Sequence, residues 1–506
     1  MSAIVLATIN ARYYHASLGL RYLVANMGAL ESDTQIIEFI LQHKPEDIVE
    51  ALLASRPKIV GFGVYIWNVE ETTKVVAQLK QVAPEIIVVL GGPEISYECS
   101  EHAIVRHADY VITGWGDVSF PKLCAELLAH RPQAQKIICG EQPALSAIKL
   151  PYALYTDEDI AQRLIYVEAS RGCPFKCEFC LSSLDKTAWA FDLDLFLEAI
   201  AKLYERGARQ FKFVDRTFNL NIKASSRILA FFLARMDEKL FVHFEVIPDH
   251  LPDPLKTLIA RFPPGTLQFE IGIQTLNPDV QNLISRKQDT PKAAANLHWL
   301  RTQSHAHIHA DLIIGLPGED MASFAQGFDQ LVAIGPHEIQ VGILKRLRGT
   351  PIVRHTEHFQ MRYNPHPPYN ILSTGCIDFL TMQRLSRFAR YWDLIANSGR
   401  FSSTLPVILA ATPFERFLAL SDWLYAKTRQ THQIALERLF DLLHAALPSL
   451  LNVSKEQTLS VLTHDYTLSG ARGAPKFLEA LKQSKLSTPS KKMLSHAARQ
   501  ARHSTA

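Results

Sequence analysis

The chain has 506 residues, 47% of them apolar, and a formal net charge of +3. That length predicts two to four domains, the apolar share excludes a disordered chain, and the small charge gives no case for nucleic-acid binding. No apolar run reaches the roughly 18 residues of a membrane helix, and the opening MSAIVLATIN lacks the charged region and cleavage site of a secretory leader, so a cytoplasmic protein is expected.

The first 135 residues alternate strand and helix signals. Apolar runs of buried-strand length lie at 3–9, 58–64, 85–90 and 110–113, and helical spacing marks 17–27. The third run ends at Gly91-Gly92-Pro93 and the fourth at Gly114-Trp115-Gly116-Asp117. Continuous apolar strands separated by helices predict a Rossmann-like, doubly wound parallel sheet, with glycines at the edge where such sheets bind ligands. Residues 136–160 carry prolines and read as a linker.

A second alternation fills 161–352, with strands expected at 164–169, 210–214, 242–246, 266–273, 308–314 and 338–343. Six such units predict a partial (β/α)6 TIM-type barrel, functional groups sitting at the strands' C-terminal ends. Residues 353–485 read as a helical C-terminal domain. Its helical faces include Phe414, Phe417, Leu418, Leu424 and Tyr425, then Leu436, Leu439, Phe440 and Leu443. Ahead of them, Asn364-Pro365-His366-Pro367-Pro368 reads as a connector, with Tyr363, His366 and Tyr369 alternatively forming a lid. The polar, basic stretch 486–506 reads as a disordered tail.

Seven cysteines are present, an odd count that argues against a disulfide framework. Cys99, Cys124, Cys139 and Cys376 are scattered and read as buried small apolar residues. Cys173, Cys177 and Cys180 form Cx3CxxC within Ser170-Arg171-Gly172-Cys173-Pro174-Phe175-Lys176-Cys177-Glu178-Phe179-Cys180. Thiolates hold iron–sulfur clusters, and three local cysteines leave one iron of a 4Fe–4S cubane open to a further ligand. Structural zinc usually takes four ligands in two pairs, and no second pair follows. A thioredoxin-like redox site would need CxxC alone.

Cx3CxxC after the first strand of a six-unit barrel resembles the radical S-adenosylmethionine superfamily. The resemblance implies a 4Fe–4S cluster on Cys173, Cys177 and Cys180 that binds S-adenosylmethionine and cleaves it reductively to a 5′-deoxyadenosyl radical. It implies that Phe179 lies near the adenine and that Asp215, in Phe213-Val214-Asp215-Arg216-Thr217-Phe218-Asn219, meets the methionine portion. Members with a cobalamin domain often carry two adjacent aspartates there; here Arg216 follows Asp215. Glu270-Ile271-Gly272-Ile273-Gln274-Thr275 resembles the fourth-strand motif, with Gln274 near the ribose. Asp311-Leu312-Ile313-Ile314-Gly315-Leu316-Pro317-Gly318-Glu319 resembles the fifth-strand motif along the adenine, which brings in Asp311 and Gly315. Taken singly, Asp215 also reads as a helix cap and 315–318 as an ordinary turn.

His305-Ala306-His307-Ile308-His309 would set three imidazoles on one strand face, a pattern open to zinc or iron. Its place at the strand entrance, opposite the catalytic mouth, favours a solvated end instead.

A doubly wound domain ahead of such a barrel resembles the cobalamin-binding radical enzymes. Gly63, Gly91, Gly92 and Gly114 would then line a cobalamin groove, glycine letting the backbone approach a bulky ligand. The alternative is a scaffold that binds nothing. The cobalamin signature D-x-H-x-x-G is not kept: Tyr13-Tyr14-His15-Ala16-Ser17-Leu18-Gly19 lacks the Asp and has its glycine one place late. His15 is therefore expected to hydrogen-bond locally rather than to ligate cobalt. Over its whole length the chain resembles cobalamin-domain radical proteins ending in a helical domain of unknown function. Ala11 to His15, Tyr65 to Asn68, Gly91 to Glu94 and Leu344 to Pro351 carry that likeness.

The expected activity is radical methylation of an unactivated carbon, with a flavodoxin or ferredoxin as electron donor. The alternatives are a non-methylating radical oxidoreductase, cyclase or rearrangement enzyme, and a non-catalytic iron–sulfur sensor or assembly protein.

Overall fold

The computed structural model describes residues 2–185, 187–471, 473–479 and 502–503. Strands β1 (Ile4–Asn10), β2 (Thr34–Ile40), β3 (Ile59–Gly63), β4 (Ile87–Gly91), β5 (Tyr110–Thr113) and β6 (Ile137–Cys139) form one parallel sheet in the order β2-β1-β3-β4-β5-β6. The order reverses between β1 and β3, the topological switch point at which doubly wound sheets open a ligand crevice. Four of these strands are buried apolar runs that the pattern predicts. β2 and β6 are edge strands with partly exposed faces, so neither reads as a continuous apolar run.

The expected linker 136–160 is corrected by β6, which extends the first sheet past residue 135. The segment that follows is packed into the barrel core, with Tyr152 and Tyr155 each 1% exposed. Their hydroxyls bond the backbone of Glu168 and Tyr166 at 3.0 and 2.7 Å.

Next come β7 (Ile165–Val167), β8 (Ser170–Gly172), β9 (Ala188–Ala190), β10 (Gln210–Phe213), β11 (Phe241–Val246), β12 (Leu267–Gln274), β13 (His307–Ile314) and β14 (Glu338–Ile343). Six of them form a parallel sheet in chain order, β7-β10-β11-β12-β13-β14. This is the open six-strand barrel. β8 and β9 stand apart as an antiparallel pair that closes the base of the cysteine loop. Gly172, at φ +88°, makes this pairing fit: a Cβ there would lie 2.4 Å from the Thr187 carbonyl oxygen.

The C-terminal region begins with the small antiparallel pair β15 (Arg362–Tyr363) and β16 (Ile371–Ser373), where a connector was expected. Helices Phe379–Ile395, Pro413–Thr428, Leu436–Leu450 and Lys455–Leu468 follow. Phe328 of the barrel helix Met321–Ile334 meets Phe388, Trp392 and Phe414 at ring separations of 4.8 to 5.9 Å. Barrel and C-terminal helices therefore share one core. The expected tail 486–506 lies outside the described residues except at Arg502 and His503. Those two are packed: Arg502 Nε donates to the Ser398 carbonyl at 2.7 Å, and the His503 ring lies 3.7 Å from Glu338. Among the described residues no helix is long and apolar enough to cross a membrane.

Candidate functional site

The cysteine loop rises from the β8–β9 base at the C-terminal mouth of the barrel. Cys173, Cys177 and Cys180 line one cavity of about 250 Å³, together with Phe179, Glu245, Glu270, Gln274, Arg286 and Asp311. Burial pushes the Cys173 and Cys177 thiols up, opposed at Cys177 by the Arg286 guanidinium, whose Nη1 lies 3.5 Å from the sulfur. Among the described residues no set of three or more ligating groups is arranged for a single metal ion. A single zinc ion would need its sulfurs within about 4 Å of one another, given Zn–S bonds near 2.3 Å. A cubane spreads its thiolates over separate iron corners. Three thiols lining one cavity are the donor set that such a cluster takes.

The far wall is built of charge. On β11 and β12, His243 lies 3.0 Å from Glu270, and Lys212 of β10 lies 3.4 Å from it. Against the cost of burial, these neighbours hold Glu270 below the usual carboxylate range, while burial pushes His243 down to about 4. On β13, burial and the charges of Glu270 and Glu245 push Asp311 well above that range. Glu270 is thus the more acidic of the two neighbouring carboxyls. Asp311 Oδ1 and Gln288 Nε2 are buried without a hydrogen bond among the described residues. Orphaned acceptor and donor atoms at a cavity wall call for a polar ligand. Gln274 adopts φ +70°, past an irregularity between Gly272 and Gln274, a strained conformation of the kind concentrated at ligand sites.

Of the residues expected around S-adenosylmethionine, Phe179, Glu270, Gln274 and Asp311 line this cavity with the three cysteines. Two others, Asp215 and Gly315, do not line it. Asp215 faces the backbone. Its carboxylate accepts from the Ala169 N–H at 3.0 and 3.2 Å and from the Ser170 hydroxyl at 2.6 Å, bracing the approach to the cysteine loop. Burial pushes it up to about 7. Gly315 turns toward the C-terminal domain, where a Cβ would meet Ile371 at 2.5 Å and Met382 at 3.2 Å. Glu245, Arg286 and Gln288 line the cavity without a sequence signal. Arg216 also lines it, and its only signal was the departure from paired aspartates.

A larger cavity, about 820 Å³, lies between the glycine-rich edge of the first sheet and the barrel. Gly63, Gly91, Gly92 and Gly114 all line it, with Tyr65 and Trp67 stacked 4.4 Å apart on one side. A Cβ on Gly114 would meet nothing within 4 Å, and one on Gly63 or Gly91 only ordinary contacts at 3.5 Å or more. The groove thus has bare backbone facing a wide, largely apolar space, which fits a bulky ring system such as cobalamin. Arg171 spans the wall, 2.9 Å from Asp117 and 2.7 Å from Glu168, over the rings of Tyr22 and Trp115. His15 bonds locally through its backbone, its N–H donating to the Arg12 carbonyl at 3.2 Å and its carbonyl accepting from Asn10 Nδ2 at 2.8 Å, while its ring Nδ1 lies 2.5 Å from the Tyr166 hydroxyl, across the domain boundary on β7.

The remaining distinctive segments tie the domains together. Glu98 pairs with Arg346 and Arg348, each at 3.0 Å, and Tyr369 donates to Glu94 at 2.7 Å. Tyr369 is thereby buried in a domain contact rather than poised as a lid. His305 is exposed, but His307 is buried against Glu338 at 3.1 Å instead of solvated, and His309 lies 3.7 Å from Asp311. Cys124 is buried as expected, whereas Cys139 and Cys376 are exposed.

Residues 4–124 match the B12 binding domain, 167–331 the Radical SAM superfamily, and 357–504 a protein family of unknown function, DUF4080. An uncharacterized methyltransferase of Pyrococcus horikoshii is 26% identical over 331 residues, 60% of this chain and 70% of that protein. The cobalamin-dependent radical SAM methyltransferase TokK of Streptomyces tokunonensis is 25% identical over 341 residues, 60% of this chain and 49% of TokK, so the match spans about half that relative. Among solved structures, the radical S-adenosylmethionine methyltransferase TsrM of Kitasatospora setae, with cobalamin and a 4Fe–4S cluster bound, shares the fold. Its TM-score is 0.58 at 16% identity, over 73% of this chain and 82% of that one.

Proposed function

We propose that this chain, which joins a B12-binding domain and a radical SAM domain to a DUF4080 domain, is a cobalamin-dependent radical S-adenosylmethionine methyltransferase. The observation that carries the reading is the pair of adjoining cavities. One has three cysteines on its wall, the other a glycine edge, and Arg216 lines both. A substrate lying at that junction would face both cofactors.

The cofactors supply the hard chemistry when bound: reductive cleavage of S-adenosylmethionine to a 5′-deoxyadenosyl radical at the 4Fe–4S cluster, and methyl transfer from cobalamin. In this reading Cys173, Cys177 and Cys180 hold the cluster. Phe179 covers the adenine, and Glu270, Gln274 and Asp311 orient the polar groups of S-adenosylmethionine. The carboxyl oxygens of Glu270 and Asp311 and the Gln274 amide are the hydrogen-bonding groups they would use. Gly63, Gly91, Gly92 and Gly114 line the cobalamin groove in this reading. Such chemistry needs a reductant; a cytoplasmic flavodoxin or ferredoxin suits the role.

The test has two stages. Anaerobically reconstituted protein is expected to hold close to four irons per chain, lost on replacing Cys173, Cys177 and Cys180 with Ala. Replacement of Cys99, Cys124, Cys139 or Cys376 should leave them in place. With reductant, cobalamin, candidate substrates and S-adenosylmethionine carrying a labelled methyl, the label should reach product. S-adenosylhomocysteine and 5′-deoxyadenosine should both form, since methyl donation and radical generation each consume one molecule. Deoxyadenosine without the homocysteine product would leave a non-methylating radical enzyme. No nucleoside with any reductant would leave a sensor.

A further inference from the structure

Glu178 is the one carboxylate between Cys177 and Cys180, and its side chain is only 5% exposed. A buried charge persists only where partners satisfy it, and here every polar atom of the residue is engaged. Its N–H donates to the Ile284 carbonyl at 3.0 Å, and its carbonyl accepts from the Ile352 N–H at 3.0 Å. Oε1 accepts from the Ser285 hydroxyl at 2.5 Å and from Arg354 Nη2 at 2.6 Å. Oε2 accepts from Arg354 Nε at 2.8 Å and lies 3.0 Å from His355 Nε2.

Two segments supply these partners. One is 284–286, where Ser285 sits at φ +54° and Arg286 reaches the Cys177 sulfur. The other is the short turn Pro351–His355, where the chain leaves the barrel for the C-terminal domain. The planar guanidinium of Arg354 meets the carboxylate with two parallel bonds, which fix orientation as well as distance. The loop is thus pinned at the residue next to one sulfur, by a turn that belongs to neither cofactor cavity.

We propose that Glu178 is a positioning residue for the iron-binding loop, and that the Pro351–His355 turn is the strap through which the C-terminal domain fixes the spacing of Cys177 and Cys180. The proposal rests on the reading that those cysteines hold a cluster, but the strap itself can be measured without iron.

The experiment uses the full chain with Arg354→Ala, Arg354→Lys, Glu178→Gln, the Glu178→Gln/Arg354→Ala double variant and, as a control, Arg384→Ala. The control breaks an ion pair between C-terminal helices, Arg384 with Asp422 at 2.6 Å. Hydrogen exchange over residues 173–180 is read on apo protein, and anaerobic iron release to a chelator on reconstituted protein. Arg354→Ala and Glu178→Gln should each speed both by about fivefold or more, through easier local opening. Arg354→Lys, which keeps the charge but only one bond, should fall between wild type and Arg354→Ala. The double variant should be no worse than the worse single, and Arg384→Ala should match wild type.

Unchanged exchange in both single variants would overturn the strap. Faster exchange with unchanged iron release would overturn the positioning role. Equal damage from Arg384→Ala, or from Arg354→Lys and Arg354→Ala alike, would overturn it in favour of general loosening. Should Glu178→Gln not fold, the Arg354 variants decide alone, since that side chain is 60% exposed and its truncation leaves little void. If wild type retains no iron, the cluster reading fails while the exchange data still judge the strap.

Discussion

Arg216 Nη1 donates to both oxygens of Glu245, at 3.0 and 3.1 Å, and among the described residues Arg216 alone lines both cavities. It follows β10, and Glu245 stands on neighbouring β11. The pair sets a fixed positive charge between the glycine groove and the sulfurs. Glu245 needs that charge, because burial pushes its carboxyl up while Arg216 pulls it down.

Removing either partner should destabilise the chain, and removing both should cost less than the sum. The Arg216 side chain is 51% exposed, so solvent screens the pair and the coupling is expected at only about 1 kcal/mol. A thermal-unfolding cycle over Arg216→Gln, Glu245→Gln and the double variant measures it. Strict additivity would mean that Arg216 is held by its surroundings and not by Glu245.

The sequence carried most of the architecture because most of it is periodic. The barrel strands are segments of strand length in which apolar residues alternate with or outnumber polar ones such as Lys212, Glu270 and Asp311, and the cysteine loop announces itself by spacing. What stayed hidden lacks periodicity or depends on contacts far along the chain. β2 and β6 are edges with partly exposed faces. Arg286 lies in a loop with no motif, yet packing brings it to Cys177, 109 residues away. Asp215 and Gly315 show what a motif leaves open. Both occupy motif positions, but one carboxylate is consumed by the Ala169 and Ser170 backbone and hydroxyl, and the glycine is consumed by packing on Ile371. A motif gives a residue's place in the chain; only the fold gives the direction its side chain takes.

Those directions separate two variants that the motifs alone would treat alike. Gln274 lines the sulfur cavity, so Gln274→Ala should weaken S-adenosylmethionine binding about tenfold, worth about 1.4 kcal/mol, with little change in melting temperature. Gly315→Val places a branched side chain at φ +89° against Ile371 and should cost about 3 kcal/mol of stability. Binding by whatever Gly315→Val protein remains folded should change less than threefold (roughly 0.6 kcal/mol). Equilibrium binding and thermal unfolding on the same samples decide it; a large affinity loss in a fully stable Gly315→Val protein would contradict the observed packing.

Asp215 predicts a pH dependence. Its carboxyl is raised from the ordinary range to about 7, chiefly by burial. The folded state therefore binds a proton that the unfolded state has already released between about pH 4 and 7, and stability falls as pH rises through that window. A rise of that size corresponds to about 4 kcal/mol. Asp215→Asn has nothing to titrate, so its denaturation midpoint should fall less than wild type's between pH 4.5 and 8. Parallel midpoint curves would show that the Ala169 and Ser170 bonds keep Asp215 ionised throughout.

The glycine groove gives the sharpest separation of ligand binding from folding. Gly91 and Gly92 are adjacent, and both line the larger cavity, but they do different work. Gly92 has φ +116°, and a Cβ there would lie 2.4 Å from the Val64 carbonyl oxygen, inside the contact that holds β3 to the loop after β4. Any side chain at 92 breaks backbone packing, so Gly92→Leu should lose the fold and says nothing about cobalamin. At Gly91 the nearest heavy atom to an added Cβ is the Ile112 carbonyl oxygen at 4.0 Å, so the backbone tolerates the side chain. Gly91→Leu should thus stay folded, within a few degrees of wild-type melting temperature, while its isobutyl group occupies space a corrin would need. Wild type mixed with cobalamin should keep it through gel filtration, and Gly91→Leu should not. Gly91→Ala, adding one carbon, should retain an intermediate amount. Retention by Gly91→Leu equal to wild type would move the cobalamin groove away from β4. Loss in both Leu variants with only Gly92→Leu unfolded is the outcome expected if bare backbone at residue 91 serves the ligand and at residue 92 serves the fold.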